Sequence, residues 1–175
     1  MARKGQDGIL LEICAVRGDG TVAIDTLVDW EMSVAEVYNV YAPSKLDPTL
    51  NKVFGRPSDK RVDGLTAPQI VEHLKQAGMT TDTILVEWSN SKFDYHIIRR
   101  FSVKAGDTSI LPDKKIGWLL QLDWRTCLPG LLSMKLEDAF PLVYPGHNLV
   151  GKNHRAMPDV LMMKLMCDKY FNICV

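Results

Sequence analysis

His154-Arg155-Ala156-Met157-Pro158-Asp159 sets a histidine five residues ahead of an aspartate, with a proline between them that opens a helix. The apolar stretch that follows, Val160, Leu161, Met162, Met163, Leu165, Met166, Tyr170 and Phe171, predicts a largely buried helix from about Pro158 to Phe171, with Lys164 and Asp168 paired at i, i+4. Asp159 then lies in the first turn, and His154 lies in the loop before it. Two-metal phosphodiester hydrolysis needs carboxylates that hold divalent ions roughly 4 Å apart and a base for the attacking water. His154 supplies a base, Asp159 a ligand, and the small Ala156 leaves room between them. Asn90-Ser91-Lys92-Phe93-Asp94 adds a second carboxylate. It follows an apolar stretch, Thr83 to Trp88, read as a strand. Ser91 caps a helix over 92–101, so Asp94 falls in a first turn at the carboxyl edge of that strand, where ligands collect in α/β sheets.

Upstream, Ile9 to Val16 and Thr21 to Val28 flank Arg17-Gly18-Asp19-Gly20 and read as a β-hairpin. Val34 to Tyr41 admits a short helix or a strand. Pro43, Pro48, Gly55 and Pro57 punctuate a long loop with one or two turns. Thr66-Ala67-Pro68-Gln69 carries a capping box, and Ile70, Leu74 and Ala77 form the apolar face of a helix ended by Gly78. Leu119 to Trp124 reads as a strand and Ser133 to Phe140 as a helix stopped by Pro141. Residues 1–8 are a polar N-terminal tail and 9–175 a single α/β domain with a mixed sheet and helices packed on it.

In that order the segments resemble the DEDDh (DnaQ-like) 3′→5′ exonuclease family. Its H-x-A-x-x-D motif is matched by His154, Ala156 and Asp159, and its N-a-x-F-D motif by Asn90, Phe93 and Asp94. Supporting likenesses are Leu11 to Val16, Val62 to Thr66, Leu122 to Thr126 and Ser133 to Glu137. The resemblance implies an RNase H-like mixed sheet flanked by helices. It also implies Mg²⁺ or Mn²⁺ on Asp94 and Asp159, His154 as base, and an RNA or DNA 3′ end as partner. Asn90, Phe93, Arg155 and Lys152 would be substrate contacts. The family's first motif, D-x-E on a central strand ahead of the segment matched by Leu11 to Val16, finds no counterpart. Met1 to Gly8 hold Asp7 but no D-x-E, and Glu12 matches a residue that is not a ligand. The expectation is therefore an incomplete or weakly active exonuclease. The alternative is an inactive exonuclease-fold module that binds nucleic acid or a protein. The missing motif leaves three readings open: an inactive descendant, a truncated or mis-started chain whose first strand lies upstream, and a sheet completed by a second copy or a partner chain.

Composition narrows the alternatives. Apolar residues make up 46% and the net charge is zero, so any nucleic-acid site is local rather than a bulk basic face. Cys14, Cys127, Cys167 and Cys174 form no C-x-x-C pair and no zinc-ligand spacing, so no zinc is expected and the thiols read as reduced. The apolar run at 9–16 is too short for a signal peptide or a membrane span, and cytoplasm or nucleus is expected. The structural alternatives are plain: His154 as an ordinary loop histidine, and Asp94 and Asp159 as helix-start carboxylates that complement the dipole at under about 1 kcal/mol each. Asp123, His147, Trp88 and Trp124 read as structural, and Arg99 and Arg100 as surface charge.

Overall fold

The Arg17–Gly20 turn closes the hairpin as its residues require. The Gly20 N–H donates to Arg17 O at 2.9 Å and the Arg17 N–H to Thr21 O at 2.8 Å, with Gly20 at φ 89°. Strands β1 (Glu12–Val16) and β2 (Val22–Leu27) pair antiparallel, Glu12 opposite Leu27 and Ala15 opposite Ile24, with an irregularity at Ala15/Val16. This is a computed structural model. It describes residues 10–41, 48–88, 93–113, 117–128, 130, 135–152 and 154–174, with backbone alone at 41, 48, 49, 93, 173 and 174. The expected polar tail at 1–8, the Ser91 cap, Asn90 and the Ser133 helix start lie outside those residues.

Helices α1 (Val34–Tyr41) and α2 (Pro48–Phe54) follow, then α3 (Ala67–Gln76), β3 (Val86–Glu87), α4 (Phe93–Ala105), β4 (Trp118–Leu119), α5 (Leu120–Cys127), α6 (Leu136–Val143) and α7 (Ala156–Cys174). The chain is thus mixed α/β. Among the described residues its strands form two separate two-stranded sheets, β1–β2 and the parallel pair β3–β4. This differs from the single mixed sheet that the sequence leads one to expect.

Three apolar clusters hold the elements. Ile13, Ile24 and Val28 of the hairpin region pack with Ile70, Val71 and Leu74 of α3 and with Ile97, Ile98 and Phe101 of α4. Leu11 packs with Val34, Val37 and Tyr38 of α1, Leu50 of α2 and Val62. Trp88, Leu120 and Trp124 pack with Ala139 and Phe140 of α6 and with Met162 and Met166 of α7. The α3 start is as read: the Gln69 side-chain oxygen accepts from the Thr66 N–H at 2.9 Å. Ahead of it, Leu65 N–H bonds Leu27 O at 3.0 Å, and a β-carbon on Gly64 would collide with the Leu27 backbone, so only glycine fits.

Several expectations are corrected. The 119–124 segment is not a strand: β4 ends at Leu119 and α5 begins at Leu120. Leu120, Leu122 and Trp124 alternate as in a strand, but Leu120 and Trp124 are also four apart. The helix buries those two at 0% and 3% exposure and leaves Leu122 44% exposed. Because β4 offers two residues, the 83–88 strand pairs only over Val86–Glu87. Pro141 does not stop its helix. It lies inside α6, where the buried Ala139 and Phe140 offset a hydrogen-bond and steric cost of order 3 kcal/mol. The 34–41 segment is helical, and the long loop contains α2. The last helix is longer than expected and mostly half-buried. Among its described side chains Met162 and Met166 are the fully enclosed ones, while Lys164 and Asp168 pair at 2.6 Å as read.

The helical register of α5 separates two leucines sharply. Leu120→Ala is expected to cost about 2–5 kcal/mol in urea unfolding, as for a large buried side chain, whereas Leu122→Ser stays within about 0.5 kcal/mol. Equal losses would restore the strand.

Candidate functional site

The start of α7 gathers most of the singled-out side chains. His154 adopts φ 70°, a left-handed backbone that costs a non-glycine residue roughly 1–2 kcal/mol. Its N–H donates to Asp159 Oδ1 at 3.2 Å, so the first turn of α7 holds the loop that leads into it. The imidazole Nε2 lies 3.1 Å from Oε2 of Glu137, in the first turn of α6. The other Glu137 oxygen lies 3.4 Å from Lys135 Nζ. The His154 side chain is 35% exposed, so the ring is held on one side and open on another. Desolvation raises the Asp159 carboxyl above its ordinary value, against the lowering pull of the His154 N–H.

Arg155 is committed elsewhere. Its Nε lies 2.8 and 3.0 Å from the two Glu12 oxygens and its Nη2 2.6 Å from Oε1, while the Ala156 N–H donates to Glu12 Oε2 at 3.2 Å. The Glu12 side chain is 11% exposed. This bond pushes the Arg155 guanidinium above its ordinary value. One residue pair further on, the Cys14 thiol points to Met157 Sδ at 3.7 Å. Burial pushes that thiol up to about 12, so it stays protonated and unreactive. Cys14, Cys127 and Cys167 are half-buried.

Asp94 sits in the first turn of α4, beyond β3, as the sequence implies. Its N–H donates at 3.1 Å to Glu87 Oε2, a carboxylate 2% exposed. Water reaches Asp94, yet surrounding atoms desolvate its carboxyl and push it up to about 6. The structure therefore brings His154 and Asp159 together and sets Asp94 at the head of a different helix, with Glu87 as its described partner. Phe93 opens α4, and Lys152 is exposed.

Among the described residues, no group of three or more His, Cys, Asp or Glu is disposed to hold a metal ion. The carboxylates nearest α7 are engaged, Glu137 with His154 and Glu12 with Arg155. Asp94 and Asp159 stand at the heads of separate helices, and a Mg²⁺ held by one or two carboxylates takes its remaining oxygens from water and substrate phosphates. The described residues alone thus form no closed set of ligands for a divalent ion.

The remaining candidates are structural. Asp123 accepts from the Trp118 indole N–H. Trp88 and Trp124 are buried, and Trp124 Nε1 donates to Met166 O at 3.3 Å. His147 packs on Phe140 and Tyr144, and Arg100 lies over the Trp30 ring. No described helix is long and apolar enough to cross a membrane.

Three partners escape a reading of the sequence: Glu12, Glu87 and Glu137. Glu87 carries a signal, a charged residue inside the apolar run Ile84-Leu85-Val86-Glu87-Trp88, where an acid is rarely buried without a partner. Glu137 and Glu12 carry none for their roles here, since His154 and Arg155 lie far away in the chain.

The raised Asp159 carboxyl has a stability consequence. The native state keeps that proton to higher pH than the unfolded chain. The group's contribution is therefore fully present below about 3.8 and is lost as pH rises through the native value. Asp159→Asn keeps the acceptor for the His154 N–H and removes the charge. It is expected to melt above the native protein at pH 7.5 by circular dichroism, with the gap closing by pH 3.5. A lower Tm at pH 7.5 would mean that the carboxylate stabilises the start of α7.

Comparison with family models, with curated proteins and with solved structures gives no match.

Proposed function

We propose that this chain is an exonuclease-like protein of the DEDDh type, acting on RNA or DNA 3′ ends and weakly active or incomplete by itself. The observation that carries this is the meeting of His154 and Asp159 across the first turn of α7, with the ring open to solvent on one side and set against Glu137 on the other. A neutral imidazole so placed accepts a proton from water. Asp94, at the carboxyl end of β3, stands where a second carboxylate of such a site belongs. The hairpin β1–β2 and the parallel pair β3–β4 support an RNase H-like architecture, in which a central strand joins two such pairs. Mg²⁺ or Mn²⁺ would stabilise charge on the transferring phosphoryl group. The further carboxylates that it needs would come with the strand that completes the sheet, from a second copy or a partner chain.

A second reading is favoured by the engagement of Arg155 with Glu12, which commits a cation at the start of α7 that would otherwise be open to a substrate phosphate. On it, the chain is a non-catalytic module that binds nucleic acid or a protein.

End-labelled single strands of RNA and DNA, with Mg²⁺ or Mn²⁺, separate the two. The first reading expects slow shortening from the 3′ end that falls about 10²-fold or more in His154→Ala, the usual worth of a general base. Shortening at an unchanged rate in that variant would sink it. No shortening, with oligonucleotide binding seen by fluorescence anisotropy, is the outcome expected of the second.

A further inference from the structure

We infer that Glu137 is a positioning residue for His154: its carboxylate fixes the neutral ring as the tautomer protonated on Nε2 and leaves Nδ1 as the lone-pair nitrogen. Glu137 Oε2 stands 3.1 Å from Nε2. A bare ring lone pair that close to an anionic oxygen is repelled, while an N–H there is attracted, so the charge alone selects which nitrogen carries the proton. The carboxylate is itself placed. It projects from the first turn of α6, where the helix dipole favours an anion, and Lys135 Nζ lies 3.4 Å from its other oxygen. The residue that bears the ring is tethered too, its N–H on Asp159 Oδ1 at 3.2 Å. Asp159 Oδ1 thus serves the backbone while Glu137 serves the ring, a division of labour between two acids that sequence spacing does not reveal.

The use of the ring rests on the proposed function. There, water gives its proton to Nδ1, Nε2 keeps its own, and the resulting imidazolium faces the Glu137 carboxylate. The tautomer itself does not depend on catalysis.

The experiment uses the whole chain with ¹⁵N-labelled histidine at pH 8.5, where an imidazole is neutral, read by long-range ¹H–¹⁵N correlation. The native protein is expected to show one tautomer for His154, with Nε2 of the N–H type and Nδ1 of the lone-pair type. Glu137→Ala is expected to lose that single pattern and show an average of both tautomers. Glu137→Gln keeps the size, drops the charge and is expected to lose it as well, which preserves the test if the alanine variant does not fold. A proton on Nδ1 in the native protein overturns the inference. So does a pattern unchanged in whichever variant folds. No nuclease rate enters the measurement, so an inactive chain with the expected pattern removes the proposed function and leaves Glu137 in its role.

Discussion

The carboxylate of Glu12 ties the two halves of this molecule together. It belongs to β1, between the clusters formed by the hairpin, α1, α2, α3 and α4. Its partners, Arg155 and the Ala156 N–H, belong to the start of α7, whose methionines lie in the third cluster with α5 and α6. Two guanidinium nitrogens and one helix N-terminal N–H on a single carboxylate make a charge-assisted, geometrically specific joint. Arg155 is half-exposed, so the Coulomb part of the joint is screened and its worth in stability is modest. Its worth in geometry is larger. It fixes where α7 begins, and so where His154 and Asp159 stand relative to the hairpin.

Helix starts do the same work elsewhere in the fold. The α4 start gives the Asp94 N–H to Glu87, the α7 start gives the His154 N–H to Asp159, and the first turn of α6 holds Glu137. Each uses an acid where unsatisfied N–H groups and the helix dipole favour one. This is why Asp94 and Asp159 are ambiguous as ligands: a helix start holds a carboxylate at these places whether or not it binds anything. Desolvation raises both carboxyls and so does not separate them, whereas Asp159 alone of the two accepts the His154 N–H.

The parts of this fold that are legible in the sequence are those whose chemistry is local. The Arg17–Gly20 turn, the Thr66–Gln69 cap and the Lys164–Asp168 pair each satisfy their groups within five residues. The 119–124 segment misleads because Leu120, Leu122 and Trp124 satisfy two periods at once, and only packing against α6 and α7 chooses between them. Pro141 misleads because a local breaker says nothing of the burial of Phe140 that outweighs it. In the site, the spacing of His154 and Asp159 is legible and their meeting follows from it. The Glu12–Arg155 joint, across 143 positions, leaves no local trace.

The same contrast bears on chemistry. A motif names residues, and a mechanism needs each of them to be disengaged from other work. At the head of α7, Arg155 is spent on Glu12 and one Asp159 oxygen on a backbone N–H, while the imidazole remains half-open. A site so divided retains a proton acceptor more completely than it retains an electrostatic clamp for a transferring phosphoryl group. In such catalysis the clamp lowers the barrier more than the base does. On the proposed nuclease function, a chain with the base in place and the clamp unformed is limited by charge stabilisation at phosphorus rather than by activation of water.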